Sequence, residues 1–551
     1  MEYLTIFGSP GTGKTSFCKE VSSDLIQRGA AAKEEIAYVA FGKKAAAEAA
    51  ERCGVTAEEY RKLWYRTLHS ACYRLLGLNH GSVVTSAKLK EFSKRFGVEL
   101  DRDLSVEGDE MADLAEVMLA IKRNRVGEEP GSEPSRLLSL FHLSRLLSRT
   151  ESELGICRGQ PHPQAYSLIR GNINLTQYRA LVRHYETWKT AEGLNDFTDM
   201  LERVLTEPIA LPPWKYAFVD EAQDMGALQF CVVDKIFRNV ETLFLAGDDE
   251  QAIYNFTGSS ARDFLAYRNR GRKIHLNQTH RFGARIVQMG REIAGRLSER
   301  EPKDILPADV ENEVRLVYGF NPKNHPGKKF LLHRHVRGCA VLARKMIEAG
   351  VPFWNERGLN PLSRSAEIGA FVALSKLSRG ESVRGDDVVS LLHLLPSYKE
   401  TEDRRIQLVK HGSKKKLLQT EPSRLISAGD LKEHLLSPVW KAISEKDFGI
   451  ASIEFPDYYA RLEKSGWNPF SRDEPDTIIT TIHGSKGRER QNVALWNEVL
   501  PRCMKDENEH RVAYVGATRT KGSLYIVHEN LTGWQTTQYP YPMSQPVTEE
   551  V

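Results

Sequence analysis

At 551 residues the chain exceeds one hydrophobic core, and a soft prior of about 150 residues per domain points to three or four. With 27% charged and 41% hydrophobic residues and a net charge of +4, it reads as a soluble cytoplasmic protein whose nucleic-acid contacts, if any, are local patches. Seven scattered cysteines without a C-x-x-C pair argue against a zinc ribbon or disulfide framework. No apolar run approaches the ~18 residues of a membrane span, and the first strand starts too near Met1 for a signal peptide.

The chain opens on an apolar strand, Tyr3–Phe7, followed by Gly8-Ser9-Pro10-Gly11-Thr12-Gly13-Lys14-Thr15 and a helix start at Ser16. Strand, glycine-rich turn, Lys-Thr and helix is the context of a phosphate-binding loop. The glycines let backbone N–H groups turn toward a polyphosphate, and the helix N-terminus adds partial positive charge. Lys14 is placed to neutralise the β- and γ-phosphates, and the Thr15 hydroxyl to hold Mg²⁺.

A second strand, Glu35–Phe41, ends in Gly42-Lys43-Lys44 before an alanine-rich helix from Ala45 to Arg52. The turn fits a backbone-phosphate contact or a solvated basic surface. Thr67-Leu68-His69-Ser70 precedes a helical run, where His69 alone reads as packed or capping. From about 85 to 190 the strand signal is lost, and Met111–Ile121, Ser135–Leu147 and Gln177–Trp188 show helical spacing. The Lys122–Arg125 cluster fits a nucleic-acid face or a solvated run equally.

Trp214–Val219 is again a strand, with Asp220-Glu221-Ala222-Gln223-Asp224 at its carboxyl end, where ligands gather in α/β sheets. Asp220 is placed to hold Mg²⁺ and Glu221 to take a proton from an attacking water. The strand Thr242–Ala246 leads to Gly247-Asp248-Asp249-Glu250-Gln251, with Tyr254 and Phe256 close behind. Gln251 is in reach of a γ-phosphate. The two aromatics fit base stacking or, at this spacing, core packing.

A second α/β region is expected from about residue 270. Its strand Ile274–Leu276 leads to Thr279-His280-Arg281, and Lys328–His335 is followed by a helix over 336–349. Residues 356–470 read as mainly helical and carry Arg404-Arg405, Lys410 and Lys414–Lys416. The α/β pattern returns with strand Thr477–Thr481, the turn His483–Glu489, strand Gln491–Trp496, a helix at His510–Val515 and a closing strand to His528. The tail after Thr532 reads as poorly ordered.

The motifs GSPGTGKT, AFGKKAA, TLHSA, VDEAQD, GDDEQAIYNF, THRF, TIHGSKGRE and YVGATRT stand in that order. Together they resemble the UvrD/Rep/PcrA group of superfamily 1 DNA helicases over essentially the whole chain. The resemblance implies an α/β fold with two RecA-like P-loop domains, each interrupted by a mainly helical insertion. The implied boundaries are 1–84 and 191–270 for the first domain around an insertion at 85–190, then 271–355 and 471–551 for the second around an insertion at 356–470.

It also implies an ATP- and Mg²⁺-dependent enzyme that moves 3′→5′ on single-stranded DNA and opens duplex at single-strand/duplex junctions. A DNA-activated NTPase subunit of a larger machine is the alternative. A monomer in a bacterial cytoplasm, either a bacterial protein or a phage protein in its host, without a membrane partner, is the expected setting. Residue by residue, Gly8 to Thr15 would cradle the phosphates, and Thr15 with Asp220 would hold the metal. Glu221, Gln251, Arg281 and Arg519 would perform the hydrolysis, the two arginines reaching in from the second domain. His280, Lys486, Gly487 and Glu489 would line the nucleotide. Phe41, Lys43, Thr67, His69, Tyr254, Phe256 and His483 match the DNA track.

Departures from the family pattern are visible. Only seven residues precede Gly8, so no adenine-recognition segment is expected upstream. His280 stands for the family tyrosine that stacks on adenine, and Thr279 for an asparagine. Phe256 and Thr257 replace a tryptophan and an arginine. Gly42 replaces a hydroxyl-bearing residue. These changes suggest loosened base choice, with other NTPs used beside ATP, and a modest grip on DNA.

Overall fold

A computed structural model describes residues 1–40, 42–100, 133–156, 173–355, 365–400, 405–419, 424–445, 448–451, 474–501 and 503–542, with a few single positions in the gaps. The chain forms two compact units. The first comprises Met1–Leu316, Val499–Leu524 and the described tail from Gln535. The second comprises Val317–Glu498 and Tyr525–Trp534. Among the described residues no helix is long and apolar enough to cross a membrane.

The first unit is built on a six-stranded sheet: β1 (Glu2–Gly8), β2 (Ile36–Ala40), β3 (Trp64–Thr67), β4 (Tyr216–Val219), β5 (Thr242–Gly247) and β6 (Arg272–Leu276). The order is β3-β2-β4-β5-β1-β6 and the pairings are parallel. Successive side chains of a strand face opposite sides, and helices cover both, so the inner strands read as continuous apolar runs. Phe7, Ala37, Val39, Ala217, Val219, Leu243 and Leu245 enter one core. Leu4, Ile6, Ile36, Tyr38, Ala40, Phe218, Phe244 and Ala246 enter the other. On that second face Tyr65, Tyr38, Phe218 and Phe244 stack in a ladder across β3, β2, β4 and β5, at centroid spacings of 5.9, 5.9 and 4.5 Å.

Within 85–190 the described residues include helices Ser86–Phe96, Glu133–Leu146 and Leu175–Glu192. They bury Phe92, Leu140, Leu143, Tyr185 and Trp188 in a core of their own. Met111–Ile121 and the Lys122–Arg125 cluster lie outside the described residues, as does Arg404.

The second unit carries most of another six-stranded sheet. Its elements are β7 (Glu313–Val317), β8 (Lys329–His333) and β9 (Phe353–Trp354). After the short strands β10 (Val383–Arg384), β11 (Tyr398–Glu400), β12 (Arg405–Gln407) and β13 (Leu425–Ile426) come β14 (Thr477–Thr481), β15 (Arg490–Trp496) and β16 (Thr520–Val527). The large sheet runs β7-β16-β15-β8-β14-β9, while β10 pairs with β13 and β11 with β12. Leu331, Ile479 and Ala494 of the central strands share one core with Leu342, Met346, Leu374, Leu391 and Val439 from the surrounding helices.

Three expectations need correction. A second α/β region was expected to begin at residue 271, but β6 extends the first sheet, with Leu4 opposite Arg272 and Gly8 opposite Leu276. Its charged, largely exposed sequence is that of an edge strand covering the free side of β1. The 499–524 segment, expected with the second domain, belongs to the first unit. Its helix Asn508–Ala517 packs on helix Ala284–Ala294, where Gly290 leaves room for the Tyr514 ring. The tail, expected to be loose, is held where it is described: Thr537 pairs with Val499, and buried Tyr539 meets His510 Nδ1 at 2.8 Å.

Candidate nucleotide site

The carboxyl ends of the first sheet converge on the loop after β1. Gly11 (φ 77°) and Gly13 (φ 82°) take the left-handed conformation that favours glycine. A Cβ on Gly11 would also lie 2.5 Å from Arg281 Cβ. The helix Lys14–Gln27 starts at Gly13 with no side-chain cap, leaving its first N–H groups to an anion. Lys14 is buried, and its Nζ donates to Gly8 O (2.7 Å) and Ser9 O (3.3 Å). Thr12 Oγ1 donates to Ser9 O at 2.9 Å. The loop is therefore pre-shaped by its own side chains. The segment after β6 holds it from outside, with Thr279 Oγ1 donating to Pro10 O and the His280 N–H to Gly11 O, both at 2.9 Å. The His280 side chain is exposed beside it.

Asp220 follows β4, and its N–H donates to Val39 O at 2.8 Å. Burial and the charge of Glu221 raise its carboxyl above the usual range, against hydrogen bonds from Thr15 and Tyr38 and the charge of Lys14. Thr15 and Asp220 are thus side by side, and a buried carboxylate with a raised affinity for protons welcomes a cation. This donor set, hard oxygens beside a phosphate loop, fits Mg²⁺.

Glu221 sits at φ 54°, a left-handed backbone rare for a side-chain-bearing residue. Gln223 Nε2 donates to Glu221 Oε2 at 2.5 Å, while Gln223 Oε1 accepts the Asp248 N–H at 2.9 Å. One glutamine therefore ties the carboxylate after β4 to the turn after β5. In that turn Gln251 Nε2 donates to Asp248 Oδ2, and Gln251 Oε1 accepts from Arg519 Nη2, each at 2.8 Å. Arg519 is fully buried and also donates to Val515 O at 2.9 Å. Arg281 Nη1 donates to Thr518 O at 3.3 Å.

The structure thus gathers Gly8–Thr15, Asp220, Glu221, Gln251, Arg281 and Arg519 in one unit. Both arginines belong to the unit of the loop itself, not to the second one as the resemblance implied. Gln223 and Asp248 were overlooked as site residues, although both lie inside motifs visible in the sequence. Lys303, described below, carries no sequence signal.

Other expected residues are placed elsewhere. Lys486, Gly487, Glu489 and His483 lie in the β14–β15 turn of the second unit; Gly487 is exposed at φ 78° and His483 is buried. Thr67 caps helix Leu68–Leu75 by accepting the Ser70 N–H. His69 is buried edge-on against Phe197, and burial lowers its pKa to about 4, so it is a neutral packed ring. Tyr254 is buried and meets the half-buried Phe256 edge-on at 6.0 Å. Phe41 and the Lys43 side chain lie outside the described residues.

Comparison with known proteins identifies relatives of both parts of the chain. Residues 2–271 match the UvrD/REP helicase N-terminal domain, and residues 476–527 the UvrD-like helicase C-terminal domain. The ATP-dependent DNA helicase srs2 of Schizosaccharomyces pombe is 22% identical, covering 95% of this chain and 70% of its own. The putative ATP-dependent DNA helicase YjcD of Bacillus subtilis is 21% identical, with coverages of 95% and 76%. DNA helicase IV of Escherichia coli is 25% identical over 54% of this chain, which spans only 45% of that relative. With the two family models standing in order around the same loop and turn motifs, the chain belongs to the UvrD/Rep family of helicases.

Proposed function

We propose that the chain is an ATP-dependent DNA helicase that translocates 3′→5′ on single-stranded DNA and opens duplex at single-strand/duplex junctions. The observation that carries this reading is the linked set around the loop, in which a proton acceptor, a γ-phosphate reader and two arginines share one unit with the phosphate cradle. The polarity comes from the family alone.

In this mechanism the N–H groups of Gly11–Thr15 and Lys14 would hold the phosphates, and Thr15 with Asp220 would hold Mg²⁺, which would supply charge neutralisation of phosphate oxygens. Glu221, aimed by Gln223, accepts the proton of the attacking water. Gln251 senses the γ-phosphate, and Arg281 and Arg519 stabilise charge as the phosphoryl group moves. His280, exposed beside the loop, offers an imidazole face to the base, in keeping with loose base choice.

We further assign the two RecA-like domains as interrupted near 85–190 and 356–470. Phe256 and Tyr254 would stand along the DNA track, with Phe41, Lys43, Thr67, His69 and His483. Lys486, Gly487 and Glu489 would link nucleotide to DNA. The protein would act as a monomer.

The test is ATP hydrolysis and unwinding of forked and tailed duplexes of either polarity by the purified full chain. DNA-stimulated hydrolysis with unwinding from a 3′ tail, both lost in Lys14→Ala, is expected. Retained turnover in Lys14→Ala would overturn the assignment. Hydrolysis without unwinding would reduce the protein to a DNA-activated NTPase.

A further inference from the structure

The turn after β5 places three acids in succession, Asp248, Asp249 and Glu250, and all three are buried. One cation reaches all three. Lys303, whose side chain is only 1% exposed, brings its Nζ to 2.7 Å from Asp249, 3.1 Å from Asp248 and 3.4 Å from Glu250. The Glu301 N–H holds the far oxygen of Asp249 at 3.1 Å, and Arg511 Nε donates to Asp249 O at 3.0 Å. Arg300 reaches Glu250 at 3.2 Å.

The two oxygens of Asp248 have different duties. Oδ1 faces Lys303 and the Glu250 N–H. Oδ2 accepts from Gln251 Nε2. An ionised carboxylate only accepts, so the Gln251 amide must present its nitrogen to Asp248. Its oxygen is then left for Arg519. A reversed amide would set NH₂ against the guanidinium. Burial pushes Asp248 toward protonation, but Lys303 and Lys14 pull its pKa below the usual carboxylate range.

We propose that Lys303 is a positioning residue for ATP hydrolysis: by keeping Asp248 an ionised acceptor, it fixes the Gln251 amide and, through it, the Arg519 guanidinium. The inference rests on the reading of Gln251 and Arg519 as groups that act on the phosphoryl being transferred. Without Lys303, Asp248 gains a proton, becomes a donor as well as an acceptor, and no longer dictates which way Gln251 faces. Asp248→Asn reaches the same end by another route. The Asn carbonyl turns to Lys303, its NH₂ faces Gln251, and the amide flips away from Arg519.

The experiment measures kcat and KM for DNA-stimulated ATP hydrolysis, affinity for a fluorescent ATP analogue, and the thermal midpoint. Lys303→Met should lower kcat about tenfold or more, with KM and analogue affinity within about threefold of wild type. Lys303→Arg should recover part of kcat. In Lys303→Met/Glu250→Gln, the buried acid that Lys303 no longer offsets is removed with it, so the thermal midpoint should recover while kcat stays low. Wild-type kcat in Lys303→Met overturns the inference. So does a double variant that regains kcat with its stability, because a merely structural lysine predicts that result. If Lys303→Met does not fold, Asp248→Asn decides: low kcat at unchanged analogue affinity supports the inference, and wild-type kcat overturns it. Wild-type hydrolysis that disappears in Lys14→Ala upholds the reading of the nucleotide site independently of these variants; its absence overturns that reading and this inference with it.

Discussion

Two clusters of ionised side chains are buried in the first unit, and they are wired differently. In the helical part, Lys189 meets Asp196 at 2.6 Å, Asp199 at 2.7 Å and Glu186 at 2.8 Å, while Arg145 reaches Asp196, Asp199 and Glu202. Asp196 and Asp199 also form the capping box of helix Phe197–Thr206. Glu186, Asp196 and Asp199 gather closely enough to suggest a metal site, but Lys189 already supplies the cation. This cluster closes on itself and clamps three helices. Beside the phosphate loop, Lys303 faces three acids, and one of them passes an oxygen outward to Gln251. The first arrangement holds a fold; the second aims a side chain. Burial and charge count alone do not separate them, and the direction in which the last hydrogen bond leaves the cluster does.

The largest expected effect is on chemistry. Arg519→Ala should lower kcat per folded molecule roughly a thousandfold, read at saturating ATP and DNA. Arg145→Met should act on the other quantity. Leaving Asp196 and Asp199 with one cation fewer should remove about 3–5 kcal/mol of stability in urea unfolding, with kcat per folded molecule unchanged. If Arg145→Met lowered turnover as well, the separation of the two clusters would collapse.

The clusters should also differ in the sign of their pH dependence. Burial raises Glu250 to about 7, against Lys303 and with the repulsion of Asp248 and Asp249. The native state then holds a proton that the unfolded chain releases near the ordinary glutamate value, so stability falls as pH rises from about 4.5 to about 7. Asp196 is the opposite case. Burial opposes its ionisation, but His142, Arg145 and Lys189 hold its pKa well below the usual range. Its contribution is complete above the ordinary aspartate value and is lost progressively as pH falls from there toward the lowered folded value. His142, lowered by burial to about 4, adds to that acid loss between about 6.5 and 4. The Glu250 and His142 windows overlap with opposite signs, so the parent's urea midpoint should change little between about 4.5 and 6.5, and Glu250→Gln should leave it rising with pH there.

The smallest effect belongs to Gln223→Leu. Glu221 loses the Gln223 donor and the Asp248 N–H its acceptor, so kcat should fall about tenfold with a stability loss of ~1–3 kcal/mol. An unchanged kcat would show that Gln223 is not needed to aim Glu221.

Much of the site was legible because it is local. A glycine-rich turn between strand and helix, with Lys14 and Thr15 at its end, encodes its own backbone shape. Asp220 and Gln251 were legible because each follows an apolar strand, Asp220 directly after β4 and Gln251 in the turn after β5. β6 was misassigned because Arg272-Lys273-Ile274-His275-Leu276 shows a strand but not which sheet it joins; pairing with β1 is decided across 270 residues of chain. β3 is four residues long, too short for periodicity to register. Lys303 was invisible for a stronger reason: within Glu301-Pro302-Lys303-Asp304 it looks like any solvated lysine, and only the buried turn after β5 makes it otherwise.

Glu221 and its left-handed backbone carry one more consequence. A side chain at φ 54° costs of order 1 kcal/mol relative to glycine in the same conformation. Glycine would in turn add about 0.4–1 kcal/mol of freedom to the unfolded chain. Glu221→Gly should therefore fold about as well as the parent while losing its proton acceptor. The carboxylate sits where selection for stability alone would have no use for it, and a catalytically dead protein with an undiminished melting point would mark the position as one kept for turnover.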